Sequence, residues 1–421
     1  MNVNDDASLP AGAAPRVPAA SRQARTLRVG VIGLGRAFAL MLPTFVADRR
    51  TRLVAAADPR PEARARFVAE LGGCAYADAE GLCSDANVDV VYVASPHEHH
   101  ARHVELAARA GRHVLVEKPL AVTLDEADRI VAATERAGIV LVVGHSHSFD
   151  LPILHARRLI ASGRYGDVRM ISAQTYTDFM YRPRRAEELD TARGGGVLFS
   201  QAAHQVDIVR LLAGGTTERV RAHAGAWDAG RPTEGAYAAL LTFATGAFAS
   251  LVYSGYGHFD SAEVCGGIGE MGEPHDPLQY GRARRVLAQL PTGGEGAAKM
   301  ARSYGGSAFA SPSPVAPAAV AVRPWHQHFG TIVASCQHAD LRPLPTGVMV
   351  YADERAWLEP LPQPAVPRQE VIDELYAAVV DGIAASHDAR WGRATLEVCL
   401  AMLASAREGR EITLSHQVPV R

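Results

Sequence analysis

Lysine is almost missing from this chain. Of 43 basic residues among 421, only Lys118 and Lys299 are lysine. Where Arg supplies every plain positive charge, a retained Lys marks a place where guanidinium fails, such as one where an amine must give and take a proton. The context of Lys118 at a strand end fits that reading. Lys299, in a Gly/Ala-rich stretch, reads as a residue that simply escaped the bias. Cysteine is scarce as well. Cys74, Cys83, Cys265, Cys336 and Cys399 are scattered without a C-x-x-C pair, which excludes a disulfide framework and a zinc knuckle. No run approaches the roughly 18 to 20 unbroken apolar residues of a membrane helix. Neither sign of charge dominates: 43 basic and 45 acidic residues leave a net charge of −2, so no basic surface points to nucleic acid or an anionic membrane.

What is present fits a soluble globular protein: 48% hydrophobic and 21% charged residues exclude wholesale disorder. The length exceeds one ordinary core and predicts two domains. Residues 1–26, rich in Ala, Pro and Arg but holding Asp5 and Asp6 and no continuous apolar stretch, read as a disordered tail and not a secretion signal. A reducing cytoplasm is the expected compartment.

From Leu27 short apolar runs alternate with helical stretches, the pattern of βαβ units on a parallel sheet. Strands are expected at 27–33, 52–58, 88–94, 113–117 and 139–143. Helices are expected at 37–47 (bent or broken at Pro43), 61–71, 98–110 and 123–137, the last opened by Thr123 and Glu126 at capping-box spacing. Residues 27–144 thus read as a doubly wound Rossmann domain. After Gly144 the rhythm changes. Helices at 151–162 and 196–212 and strands at 168–176, 218–227, 236–243 and 247–253 predict an α+β domain over 145–421, with a mostly antiparallel open sheet. Residues 266–324 are a Gly/Pro/Ala-rich insertion of weak periodicity, a flap or a partly disordered loop. Order resumes at 330–337 and 347–351, followed by helices at 369–385 and 393–407.

Four clusters carry chemistry. Gly30-Val-Ile-Gly33-Leu-Gly35-Arg36-Ala37 follows a strand and opens a helix, so backbone N–H groups and a helix N-terminus are presented to a pyrophosphate. The third glycine of the usual fingerprint falls at Phe38. Asp58 ends the next strand, where a carboxylate accepts ribose hydroxyls and repels a 2′-phosphate; this favours NAD over NADP, although Arg60 beside it could greet that phosphate. S-adenosylmethionine enzymes share such a turn and are a competing reading. Next, Ser95-Pro96-His97-Glu98-His99-His100 at a strand end is placed to flank the cofactor; His99 and His103 are spaced to share a metal, but no third ligand is evident and no metal is expected.

Glu117-Lys118-Pro119 also closes a strand. Both charges then fall beside the nicotinamide crevice, where a desolvated Lys118 could exchange a proton with a substrate hydroxyl; a surface salt bridge between Glu117 and Lys118 is the plain alternative. Finally, Gly194-Gly-Gly196 leads to a helix with Ser200, His204 and Asp207 along one side. His204 is a fit general acid/base, with Ser200 or Asp207 able to orient its ring.

These phrases together, G-V-I-G-L-G-R, D-P-R at Asp58, S-P-x-x-x-H, G-R-H-V-L-V-E-K-P and G-G-G-x-L…H-x-x-D, resemble the glucose–fructose oxidoreductase/inositol dehydrogenase/MocA family, well over Leu27–Tyr253 and loosely beyond. The resemblance implies Lys118 and His204 at the reacting carbon. It also implies a homo-oligomer, dimer or tetramer, formed through the open C-terminal sheet. Ser200 and Ala202 stand where sugar- and inositol-oxidising members usually carry Asp and Gly. The phrases G-L-G-R-A-F-A-L-M-L-P-T-F, S-Q-A-A-H-Q-V-D and Y-S-G-Y-G-H-F-D-S-A-E are similar to the branch of that family that oxidises cis-dihydrodiols of aromatic acids. The expected activity is therefore NAD-dependent oxidation of a carboxylated cyclic diol to a catechol. Arg182, Arg184 and Arg185, with Arg193, could bind its carboxylates bidentately or could be a solvated basic loop. A sugar or inositol dehydrogenase and a non-catalytic NAD-binding sensor are the rivals.

Overall fold

The computed structural model describes residues 25–276, 279–309 and 323–421. Nearly all of the tail expected at 1–26 lies outside the described residues, as do 277–278 and 310–322 of the 266–324 segment.

The first half runs β1 (Leu27–Ile32), α1 (Arg36–Ala47), β2 (Thr51–Ala57), α2 (Pro61–Leu71), β3 (Cys74–Tyr76), α3 (Ala79–Cys83), β4 (Val90–Val93), α4 (His100–Arg109), β5 (His113–Val116), α5 (Leu124–Ala137) and β6 (Leu141–Val143). Its strands form one parallel sheet in the order β3-β2-β1-β4-β5-β6. Such strands are covered on both faces and must be apolar throughout; Val90 to Val93 and Val114 to Val116 are fully buried. The strand order reverses between β1 and β4, and there the carboxyl ends open a crevice. The edge strand β3, only three residues long, left no readable pattern. Helix α1 is not broken at Pro43. The proline costs about 3 kcal/mol, but burial of Phe38, Met41, Leu42 and Phe45 contributes about 1.5–3 kcal/mol each. Thr123 and Glu126 form the expected reciprocal cap of α5.

The second half contains α6 (Leu151–Ala161), β7 (Val168–Tyr176), α7 (Gly196–Ser200), α8 (Ala202–Ala213), β8 (Thr217–Gly225), β9 (Ala236–Phe243), β10 (Phe248–Ser254), α9 (Arg282–Ala288), α10 (Glu295–Ala301), β11 (Thr331–Cys336), β12 (Ala339–Leu344), β13 (Gly347–Ala352), β14 (Ala356–Pro360), α11 (Gln369–Tyr376), α12 (Ala389–Glu408) and β15 (Ile412–Thr413). Nine strands form one sheet in the order β14-β13-β12-β11-β7-β10-β9-β8-β15, antiparallel except for β7 with β10. Strands β12 and β14 escaped sequence reading because Pro343 and an exposed, charged alternation disguise them. The fold is thus the expected α/β combination of a parallel Rossmann sheet and a mostly antiparallel open sheet.

Helices α6, α8 and α12 cover one face of the large sheet. The helix expected over 196–212 splits at Gln201 into α7 and α8. The helix expected over 369–385 becomes α11 plus one wide turn at 377–381. Two late segments return to the first domain. Val371, Ile372 and Leu375 of α11 join the core of Val29, Phe38 and Tyr92, and Tyr304, from the 266–324 segment, is fully buried edge-on against Phe38 at 5.2 Å. That segment carries two short helices, α9 and α10, which its composition concealed.

Candidate active site

The crevice at the β1/β4 reversal is a cavity of about 570 Å³ bordered by Gly33, Gly35, Arg36, Ala37, Asp58, Arg60, Ser95 and Pro96, and roofed by Lys299, Met300 and Ser303. Gly33 is required: its φ is +95°, and a Cβ there would lie 2.7 Å from the Ala94 carbonyl oxygen. The glycine turn therefore lies against the β4 end, leaving the start of α1, with no acidic residue or side-chain cap, open to an anion. Asp58 is buried and braces the turn, its Oδ2 accepting from Leu34 N at 2.8 Å. Arg60 folds back on it, donating from Nε to Asp58 Oδ1 at 2.9 Å and from Nη2 to Leu34 O at 2.8 Å. This cavity, with a glycine where no side chain fits, suits a dinucleotide.

Not every residue expected at the cofactor faces it. The His100 ring is fully buried behind the cleft, its nitrogens 2.9 Å from Pro119 O and 3.0 Å from Ser95 O, so it ties two loops together. His103 Nδ1 lies 2.9 Å from Ser95 Oγ. Glu117 is buried, accepts from the Tyr92 hydroxyl at 2.6 Å, and is pushed up by that burial.

Lys118 and His204 are brought together by the meeting of β5 with α7 and α8. The Lys118 ammonium donates to Ser200 O at 2.7 Å and has no carboxylate within 4 Å among the described residues. Burial lowers its pKa to about 8, against the pull of Glu117 and Glu270 and with help from Arg368 and Arg184. His204 is held well below the ordinary histidine value by burial, Lys118 and His147. Its Nδ1 accepts the backbone N–H of His147 at 3.3 Å, so the neutral ring carries its proton on Nε2.

Two helix residues have other tasks than those expected. The Ser200 hydroxyl turns back to Gly196 O at 2.5 Å; only its carbonyl faces Lys118. Asp207 does not touch His204. It accepts from Ser148 Oγ at 2.5 Å, from Thr395 Oγ1 at 3.0 Å and from the Trp391 indole N–H, anchoring α8 to α12. The break at Gln201 separates Ser200 from the helix of His204 and Asp207, while Asp207, on the same helix as His204, is taken up by its bonds to Ser148, Trp391 and Thr395.

The wall facing Lys118 contains residues the sequence reading missed. His147 Nδ1 pairs with Asp150 at 2.7 Å and its Nε2 lies 3.7 Å from Glu270, while His145 Nε2 lies 3.4 Å from Asp150. Burial alone would push His147 down, but Asp150 and Glu270 lift it to about 9, leaving a cation 4.7 Å from the His204 ring. Glu270, opposed by its own burial, is drawn down to about 2 by His147 and Arg182. His145 and His147 follow β6, so the rule that sites gather at strand carboxyl ends could have found them. Glu270 and Arg368 carry no local signal.

The arginine run divides. Arg182 pairs with Asp178 at 3.2 Å and lies 3.8 Å from Glu270. Arg184 lies flat over Phe179 at 3.5 Å and donates to its carbonyl at 2.8 Å. Arg185, with Glu187 at 3.1 Å, and Arg193 border the dinucleotide cavity instead.

A glycine turn and braced acid at the end of β2, with a lysine at the end of β5 and a histidine on α8 beside it, define a dinucleotide-dependent oxidoreductase. Comparison with known proteins agrees. The oxidoreductase-family model with an NAD-binding Rossmann fold matches residues 27–145 and the corresponding C-terminal model matches 153–271, so the chain belongs to the Gfo/Idh/MocA family of NAD-binding oxidoreductases. It is 48% identical over 379 residues to 1-carboxy-3-chloro-3,4-dihydroxycyclohexa-1,5-diene dehydrogenase of Comamonas testosteroni, covering 90% of this chain and 94% of that one. A sugar-nucleotide enzyme, dTDP-3,4-didehydro-2,6-dideoxy-alpha-D-glucose 3-reductase of Streptomyces violaceoruber, is 34% identical over 54% of this chain and 67% of its own. The crystal structure of a candidate dehydrogenase from Bordetella bronchiseptica RB50 superposes with a TM-score of 0.85 at 42% identity, covering 92% of this chain and all of that one. No helix among the described residues is long and apolar enough to cross a membrane.

Proposed function

We propose that this oxidoreductase oxidises a carboxylated cyclic diol, a cis-dihydrodiol of an aromatic acid, to the catechol that the first-formed ketone becomes on tautomerisation. The observation that carries the reading is the lysine: an amine with a pKa of about 8, held by the carbonyl of Ser200, four residues before His204, with no carboxylate within 4 Å among the described residues. The bound nicotinamide supplies the hydride acceptor. Lys118, once neutral, takes the hydroxyl proton onto Nζ. His204, neutral with its proton on Nε2, donates a hydrogen bond to the oxygen as negative charge develops there. The His147 cation, fixed by Asp150 and Glu270, disfavours a second positive charge on His204 and so keeps that donor neutral.

Gly33, Gly35, Arg36 and Ala37 would hold the pyrophosphate, with Ser95 and Pro96 along the cofactor's length and Asp58 at the adenosine ribose. Arg60 is committed to Asp58 and Leu34 O, so it has little freedom to receive a 2′-phosphate; this supports NAD over NADP. The substrate class draws support from the 48% identical relative, whose name specifies a carboxylated dihydroxycyclohexadiene. A homo-oligomer through the open sheet is also proposed. The face opposite the helices exposes Met170, Leu240, Phe248, Tyr351 and Leu358, which share one side by strand register. Light scattering of the purified protein tests that point.

The decisive test is NAD reduction by the purified enzyme across carboxylated and neutral cis-dihydrodiols, inositols and aldoses. Turnover of the carboxylated diols at the highest kcat/KM is expected. Preference for a polyol or sugar would replace this reading with the other branch of the family, and NAD binding without turnover would make the protein a sensor.

A further inference from the structure

The positive charges around the crevice are of two kinds. Those of the 182–185 loop each have a carboxylate partner: Arg182 has Asp178 and Glu270, Arg184 has Glu188 at 3.9 Å and stacks on Phe179, and Arg185 has Glu187, although the Nε atoms of Arg184 and Arg185 are buried without a hydrogen-bond partner. Arg368 differs. No carboxylate lies within 4 Å of it among the described residues. Its Nε donates to the neutral Gln327 amide oxygen at 3.3 Å and its Nη2 approaches only the Met271 sulfur at 3.8 Å, which leaves Nη1 and the Gln327 N–H groups without partners there. It is nevertheless partly buried, and its charge reaches Lys118, His145 and His204, lowering all three.

Its backbone adds an independent observation. Arg368 is the only described non-glycine residue with positive φ, at +53°, and it is the cap residue of α11, whose Val371, Ile372 and Leu375 are locked into the Rossmann core. A side chain held at a sparsely populated backbone conformation by a rigid helix is delivered to one place. Arg36 and Arg302, likewise without a carboxylate within 4 Å, extend this unpaired positive charge, each close enough to another arginine to be lowered by it. Arg368 and Gln327 line a small cavity beside Asp150 and Met271, and Glu117, Asp150 and Glu270 act on the Arg368 charge only from beyond 4 Å; a guanidinium without a direct carboxylate partner can receive an anion brought by a ligand.

Resting on the reading of a carboxylated diol, we propose that Arg368, with the Gln327 amide, is the seat of the substrate's ring carboxylate and so determines specificity for acids over neutral diols. The 182–185 arginines then act as internal braces and not as the receptor. Bidentate Arg recognition fixes the plane of the ring as well as its charge, which orients the diol toward Lys118.

The test uses Arg368→Gln and Arg368→Lys in the full-length enzyme. Three quantities are measured: kcat/KM for 3,4-dihydroxycyclohexa-1,5-diene-1-carboxylate and for the unsubstituted cis-cyclohexadienediol, KM for NAD, and phthalate binding to the NAD-loaded protein. Arg368→Gln should lose about a hundredfold on the carboxylated diol while the neutral diol and NAD are little changed, and Arg368→Lys should recover part of that loss. Phthalate should bind the native enzyme and not Arg368→Gln. Equal losses on both diols, a raised KM for NAD, or phthalate binding that is unchanged in Arg368→Gln or absent from the native enzyme would overturn the assignment. Should the native enzyme oxidise no carboxylated diol, the functional reading fails on its own, while selective loss of phthalate binding would still support Arg368 as a carboxylate receptor.

Discussion

The two lysines of this arginine-rich protein sit in similar electrostatic surroundings and come to opposite ends. Burial brings each down to about 8. Lys299, on α10, ion-pairs with Glu188, which is itself drawn to about 2, so its proton is committed to a carboxylate. Lys118 faces only a carbonyl oxygen among its direct partners. A lowered pKa alone therefore does not make a base. Among the described residues no carboxylate contacts Lys118, as its proposed role requires, whereas Lys299 is a clasp between α10 and the loop at 186–189.

This contrast is sharpened by experiments of decreasing severity. Lys118→Arg should keep NAD binding, read by fluorescence titration, and lose about 10³-fold or more in kcat, since guanidinium cannot give up a proton near neutral pH. His204→Gln should cost about 10²-fold in kcat with little change in KM for NAD. In the native enzyme, the oxidation rate should rise with pH and level off above about 8, because the proposed role of Lys118 requires its neutral amine. Glu270→Gln removes a carboxylate that holds the ammonium charged, so that transition should move to lower pH, by less than about one unit. Lys299→Gln should have the smallest effect, a modest rise in KM for NAD at unchanged kcat. A collapse of kcat there would erase the distinction between the two lysines.

One wall of the site was legible from sequence and the other was not, for a physical reason. Gly33, Asp58 and Lys118 each lie at the carboxyl end of a predicted parallel strand, and such ends converge on one crevice whatever the rest of the chain does. The opposite wall is assembled from His147, Glu270 and Arg368, which sit on unrelated segments and meet only in three dimensions. Helical spacing singled out His204, which the structure places beside His147. It failed for Ser200, which ends α7 before the break at Gln201 and turns its hydroxyl back to Gly196 O, and for Asp207, whose carboxylate is taken by Ser148, Trp391 and Thr395.

The strap made by residues 295–305 has a kinetic consequence. Glu295 grips Arg231 of the large-sheet domain at 2.8 Å, and Tyr304 is sealed against Phe38 of the nucleotide domain, with Met300 and Ser303 spanning the dinucleotide cavity between these anchor points. A coenzyme threaded beneath such a bridge should arrive first and depart last. Steady-state turnover should accordingly follow an ordered sequence, with NADH competitive against NAD and the oxidised product noncompetitive against it.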